Sequence, residues 1–338
     1  MKPYLVDVPV RVNIWIRPEC QKKQFEVIKQ ARPSIIFLQS DGGRNDKEWE
    51  AIHQNRKMID EGIDWECTVY RIYEDHNNGM YAMGDKVNNI IWNTVDRCIY
   101  LEDDYIPSVS FFKFCEVLLE KYKDDERIEC ICGMNHEGIT EEVNSDYFFS
   151  REGSIWGTAT WKRVIESRKN VFEYKNDPYI LELLKQRTRH NKFIWKQIVG
   201  YSKDELYGGH IAAAEFKISF NMYAQNRLQI IPKKNMISNI GVGESAAHAT
   251  EYNKLSRGIR KVFNMQTYEY EFPLKEAKFV IPDIGYEKRR NRIMAQGHPL
   301  IGLFREVESA FLLIKYDGIA SFTKKLKKKL MRKKKVEK

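Results

Sequence analysis

The sequence predicts a mixed, mostly parallel α/β sheet flanked by helices, with a helical basic extension at its C-terminal end. Three observations predict it. Over the first hundred residues, short β-rich runs alternate with amphipathic stretches, which is the pattern of βαβ units. The unusual polar residues fall just past the ends of the apolar runs, where open α/β sheets bind ligands. The last fifteen residues are dense in lysine and arginine, and without them the chain, +9 overall, is nearly neutral.

In chain order, strands are expected at VRVNIWI (10–16), SIIFLQS (34–40), WECTVYRIY (65–73) and CIYLEDD (98–104). Amphipathic helices are expected between them, around 20–31, 47–60 and 83–95, with Pro33 and the turn Asp41-Gly42-Gly43 as boundaries. Beyond residue 108, SFFKFCEVLLEKYKDD (110–125) reads as a helix with an apolar face and IECICGMN (128–135) as a buried strand. A turn-rich segment follows, then a long helical stretch over 161–200. The region 211–243 holds a helix and the strand LQIIP (228–232). Its 338 residues, 43% hydrophobic, suffice for one large domain or a domain with an appendage.

Several classes are disfavoured. No apolar run reaches the roughly eighteen residues of a membrane span, and the first twenty residues lack a signal peptide's apolar core. The six cysteines are scattered and form no CxxC pair, which suggests a reducing compartment. GxGxxG is absent, which disfavours hydride chemistry and nucleotidyl transfer. Three readings are open for the basic tail: nucleic acid, a solvated terminus and anionic lipid. The preceding LIGLFREVESAFLLIKYDGIASF has apolar clusters at helical spacing and favours lipid.

The triplet Glu102, Asp103, Asp104 directly follows the apolar run Ile99-Tyr100-Leu101. Adjacent carboxylates repel unless a proton or cation resolves the repulsion, and a hard divalent ion takes oxygen ligands. Such an ion would neutralise charge on a departing diphosphate. An acidic turn is the plain alternative.

With YLEDDYIPSVSFFKFC, the chain resembles nucleotide-sugar-dependent glycosyltransferases of the GT-A fold, a Rossmann-like architecture. The likeness is to bacterial family 2-like enzymes and, more distantly, to the N-acetylglucosaminyltransferase I group. The resemblance implies Asp104 as ligand of Mn²⁺ or Mg²⁺, Asp103 near the ribose or metal waters, and Glu102 in support beside the sugar pocket. IRPECQKKQFEVIKQARPSIIFLQSDGGR is similar to the family's nucleotide-binding opening. It implies Arg17 at the base or phosphates and Ser40, Asp41 and Gly42 at the uracil or ribose edge. HNNGMYAMGDKVNNIIW implies Asn78, Gly79 and Lys86 near the diphosphate, and SIWGTATWKRV implies Trp156 and Gly157 in the sugar pocket. Core packing is preferred for Trp161. In AAAEFKISFNMYAQNRLQIIPKKNMISNIGVGESAAHAT, Glu215 falls where the family has its acidic residue, the catalytic base, and His248 follows as a second metal ligand or a donor to a phosphate oxygen.

The resemblance thus implies an inverting, metal-dependent glycosyltransferase, with UDP-sugar the default donor, acting in surface polysaccharide or glycoconjugate synthesis. A glycan acceptor, free or lipid-linked, and an anionic membrane at the inner face of the cell are the expected partners; nucleic acid is not. The expected organisation is a catalytic domain over 1–250, with a nucleotide-binding half (1–107) and an acceptor half (108–250). A connecting, peripheral segment (251–300) and an amphipathic basic tail (301–338) follow. A nucleotidyltransferase and an inactive carbohydrate- or membrane-binding adaptor are the alternatives.

Overall fold

Eight strands form one sheet in the order β3-β2-β1-β4-β8-β6-β9-β7. They are β1 (Val6–Asn13), β2 (Pro33–Ser40), β3 (Thr68–Tyr73), β4 (Arg97–Leu101), β6 (Ile128–Cys132), β7 (Tyr147–Ser150), β8 (Thr158–Trp161) and β9 (Leu228–Pro232). The computed structural model describes residues 1–169, 171–189, 191–203, 214–242 and 252–336, apart from the side chains of 326 and 328–336. Strands β3, β2, β1 and β4 run parallel. β8 is antiparallel to both β4 and β6, and β7 is antiparallel to β9, so the sheet is mixed and mostly parallel as expected. β5 (Tyr105–Pro107) and β10 (Ile237–Asn239) form a separate antiparallel ribbon.

The order 3-2-1-4 follows from the first three crossovers. Helices α1 (Pro18–Ala31), α2 (Asp46–Gly62) and α3 (Met80–Thr94) each return the chain to the start of the next strand. α1 starts on Pro18, whose missing N–H costs a first helical turn nothing. α2 starts on Asn45, whose side chain accepts from Glu48 N. The chain turns back between β1 and β4, and at such a switch point the loops diverge and leave a crevice.

α4 (Ser110–Lys121) covers the sheet with Phe111, Phe112, Phe114, Cys115, Leu118 and Leu119, all fully buried. Each such side chain contributes roughly 1.5–3 kcal/mol by leaving water. α3 covers the other face, where Met83, Val87 and Ile91 meet Phe37, Ile72 and Cys98. Trp161 is core, its indole donating to Leu119 O.

The stretch expected as one long helix over 161–200 is three: α5 (Lys162–Ser167), α6 (Pro178–Arg187) and α7 (Lys192–Lys203). Pro178 forbids continuation, and Asp177 caps α6 by accepting from Tyr179 N and Ile180 N. With α8 (Ala214–Ala224), α6 and α7 enclose a second core of Val171, Tyr174, Leu184, Ile198, Phe216 and Phe220.

The segment 251–300, expected to be peripheral, is part of the body. Val262, Leu274 and Tyr286 belong to the main core, and Pro282 bridges Phe149 at the sheet edge. Helices α9 (Arg257–Arg260) and α10 (Ile284–Met294) lead to α11 (Pro299–Val336), a helix broken at Gly318, where φ is +79°. Among the described residues no helix is long and apolar enough to cross a membrane. All six cysteines are free thiols, four of them buried.

Candidate active site

The acidic triplet leaves β4 as a turn, because Leu101 is the strand's last residue. Gln24 of α1, fully buried, fixes this turn by donating to Glu102 O and to Tyr105 O at 2.8 Å. Across the switch point Asn13, the last residue of β1, donates to Glu102 Oε2 at 2.6 Å, and Tyr100 donates to the other oxygen. Glu102 is therefore turned into the sheet end and does not line a sugar pocket. Burial first, and the neighbouring Asp103 charge second, push its carboxyl up to about 7.

Arg17, from the loop after β1, lies on the other two carboxylates. Its Nε donates to Asp103 Oδ2 at 2.8 Å, its Nη2 to Asp103 Oδ1, and its Nη1 to Asp104 Oδ2 at 3.0 Å. Asp103 is 1% exposed. Burial raises the Asp104 carboxyl above its ordinary value, and Arg17 offsets part of the rise. Residues 240 and 241 close over the pair: Ile240 N donates to Asp104 O, and a Cβ on Gly241 would fall 1.8 Å from Asp104 Oδ2. A side chain at this position of the GVGE run would have to displace Asp104 or Arg17.

This arrangement does not fit a divalent ion. Both oxygens of Asp103 and one of Asp104 are taken by guanidinium N–H groups, and Glu102 is committed to Asn13 and Tyr100. Among the described residues no group of three or more His, Cys, Asp and Glu is placed to hold a metal. Asp104, expected as the metal ligand, is instead an ion-pair partner of Arg17. Arg17 in turn faces the acids rather than an open nucleotide slot. His248 lies outside the described residues.

The second group of expected residues meets at the ends of β2 and β3. Asp41 accepts from Gly42 N, Asn78 N and Asn78 Nδ2 through Oδ1, and from Gly79 N through Oδ2. Gly42 passes so close to His76 that a Cβ there would lie 2.4 Å from its backbone carbon. Ser40 is buried, its hydroxyl accepting from Arg56 Nε. Arg56, not anticipated from sequence, also donates to Ser40 O, Asp41 O and Glu74 O and lies over the rings of Trp49 and Tyr73. Gly79, at φ +82°, precedes α3, whose first amides have no side-chain cap. A Cβ on Gly79 would meet nothing within 4 Å, so this helix start faces open space. Lys86 pairs with Glu74, which also accepts from Asn78 Nδ2 at 3.3 Å.

Tyr105, which follows the acidic turn, stands near the wall of a cavity of about 440 Å³. Its ring lies 6.2 Å from that of Trp156, which lies 5.0 Å from Phe263. Burial raises the Tyr105 hydroxyl well above its usual value, and the charges of Glu102, Asp104, Glu215 and Asp103 add to the rise. Glu215, exposed at the start of α8, lines the cavity together with Trp156. Gly157 does not line it. Its φ of +61° and the Ile237 side chain, 2.4 Å from where a Cβ would stand, account for the glycine.

A buried network holds α8 in place. Glu129 on β6, fully buried, pairs with Arg168 at 2.7 Å and Arg227 at 3.3 Å. Asn221 of α8 reaches Glu129 at 3.5 Å and donates to Ser167 Oγ at 3.1 Å. The cavity also has a polar wall that sequence reading missed. Glu152 accepts from Asn191 Nδ2 at 2.7 Å, Tyr223 OH at 2.8 Å and Arg290 Nη1 at 3.4 Å. Arg290 also donates to Gly153 O, while its buried Nε has no partner. These residues are spread over 138 positions of the chain, so no local motif marks them.

No protein-family model and no curated protein matches the sequence. Among solved structures, the chain is similar to a UDP-glucose pyrophosphorylase complexed with UDP-glucose: 8% identity, TM-score 0.34, covering 69% of this chain and 93% of that one. It is also similar to a cytidylyltransferase from Leptospira borgpetersenii, with 11% identity, TM-score 0.28 and coverage of 55% and 73%. A third is a glycosyltransferase involved in glycosylation of the major capsid of PBCV-1, with 10% identity, TM-score 0.24 and coverage of 67% and 93%. At these values the likeness concerns the α/β architecture alone, and no activity is transferred from it.

Proposed function

We propose that the chain is a nucleotide-sugar-dependent glycosyltransferase. The observation that carries this reading is the place of Tyr105, which directly follows the acidic turn at the β1–β4 switch point and whose ring lies 6.2 Å from that of Trp156 on the cavity wall that also bears Glu215. Transfer from a nucleotide donor needs two adjoining places, one at strand ends for the nucleotide and one for the acceptor, with a base between them.

On the donor side, Asp41 ties Asn78 and Gly79 to the end of β2 and so presents the uncapped start of α3, a favourable seat for phosphate. A UDP-sugar is the donor we assign, its ribose edge toward Asp41 and its diphosphate at the start of α3. The positive potential there is assigned to the α3 amides, because Arg17 is spent on Asp103 and Asp104 and the acids offer no free donor set to Mn²⁺ or Mg²⁺. On the acceptor side, Trp156 supplies an apolar ring for a pyranose face. The Glu152–Arg290 wall supplies fixed polar partners for hydroxyls. Glu215 takes the proton of the attacking hydroxyl as the bond to the anomeric carbon forms. The diphosphate departs from the opposite face with the bonding electron pair, which inverts the anomeric configuration. The acceptor class we assign is a growing glycan, lipid-linked where the basic C-terminal segment brings the chain to an anionic membrane.

The Arg17 clasp favours a second reading, a protein that binds the sugar nucleotide without transferring it. Release of nucleoside diphosphate from UDP-, GDP- and dTDP-sugars by the full chain, in EDTA and in Mn²⁺, tests both. Release in EDTA supports the first reading without a metal. Release only in Mn²⁺ means that Arg17 gives way to a metal. Binding by calorimetry without release in either leaves the second reading.

A further inference from the structure

Helix α11 carries its apolar residues on the side facing away from the protein. Leu300, Leu303, Phe304, Val307 and Phe311 are 59–74% exposed, and Ile314 continues the row. At helical spacing these positions fall within one sector of roughly 100°. The opposite side is the docked one. Arg305 donates to Ile293 O, Glu308 accepts from Arg257 N at 3.2 Å, and Leu312 is buried. Beyond them Asp317 pairs with Lys254. The polar contacts hold the helix to the body and fix the apolar row outward, the reverse of the usual arrangement on a globular surface.

The charge of the chain says what covers that row. Residues 324–335 hold nine Lys and Arg in twelve positions. Ten of the chain's 56 Lys and Arg and one of its 47 Asp and Glu lie in 324–338, so the remainder balances at 46 against 46. All of the net charge thus sits on the continuation of the helix that bears the apolar row. A second copy carries the same charge of +9 and is disfavoured by like-charge repulsion. An anionic bilayer complements both features, taking the apolar side chains at the level of the headgroups and attracting the lysines.

We propose that residues 300–314 of α11 lie flat on an anionic lipid surface, with Leu303, Phe304, Val307 and Phe311 inserted and the lysine-rich segment over the headgroups. The proposal does not rest on the transferase reading and can fail or hold without it. The test is cosedimentation of the full chain with vesicles of phosphatidylcholine alone and of phosphatidylcholine with phosphatidylglycerol. Binding is expected only to the second, weakened by salt, and about tenfold or more weaker for the double variant Phe304→Asp, Phe311→Asp. An unchanged unfolding midpoint shows that this loss is not loss of fold; if the aspartates do not fold, Leu303→Gln with Val307→Gln carries the same expectation. Equal vesicle binding by wild type and variant overturns the proposal, as does no binding by wild type. A wild-type dimer that the variant converts to monomer, read by sedimentation velocity, also overturns it, because the row is then a self-interface.

Discussion

Arg17 meets Asp103 as a side-on pair, Nε on one carboxylate oxygen and Nη2 on the other, while its third nitrogen reaches Asp104. One guanidinium thus serves two carboxylates at the place where the parallel strands part. Removing it leaves Asp103 buried and without a counter-charge. Arg17→Met is expected to cost about 3–5 kcal/mol of stability, as broken buried ion pairs do. Urea unfolding at pH 7 and again at pH 4 checks this, and the loss shrinks at the lower pH as Asp104, whose carboxyl burial raises, takes up a proton.

Glu102 gives the opposite sign. Its carboxyl rises from 4.5 to about 7 on folding, so the folded chain favours the protonated form. That contribution is present below the unfolded value and is lost as pH climbs through 4.5 toward 7. Glu102→Gln is expected to stabilise the protein by about 1–2 kcal/mol at pH 8 and to be close to neutral at pH 4. Thermal unfolding of both proteins across that range measures it, and a variant less stable at pH 8 refutes it.

Glu215→Gln keeps the size and position of the side chain and removes the proton acceptor. Turnover should fall about a hundredfold or more with donor affinity held, the mark of a lost general base. Single-turnover transfer beside calorimetric donor binding separates the two effects. A glutamine variant with full turnover assigns the base to another residue.

Gly241→Ala inserts a methyl group where Asp104 Oδ2 and Arg17 Nη1 already are, at 1.8 and 2.6 Å. Either the 240–241 segment lifts or the ion pair opens, at a cost of about 1–3 kcal/mol. Amide exchange should quicken at Ile240, whose N–H bonds Asp104 O at 3.0 Å. Unchanged protection there would mean that the backbone does not rest on the pair.

The parallel half of the sheet was legible in the sequence because each strand was an uninterrupted β-rich run followed by an amphipathic helix. The strand ends were less so: the acidic triplet read as part of β4 is a turn, held by Gln24 from a helix some eighty positions earlier. Asp41 and, separately, Asn78 and Gly79 were singled out by resemblance; the structure brings them together, since βαβ units deliver successive strand ends to one edge. The partner of Asp103 was not legible. Arg17 was singled out, but nothing local says whether a cation at that place faces a phosphate or a neighbouring acid. Gly157 was read as a pocket residue, whereas Ile237, eighty positions away, explains it. The Glu152 network stayed hidden because its members come from four separate segments.

Glu129 gives the molecule one further property. A single carboxylate in β6 steadies both the arginines beside it and the helix that presents Glu215, so the reach of that glutamate is inherited from the interior. Random mutagenesis scored by activity alone would return Arg168, Asn221 and Arg227 as though they touched substrate. Only a parallel screen for folded protein would tell such scaffold losses from true chemical ones.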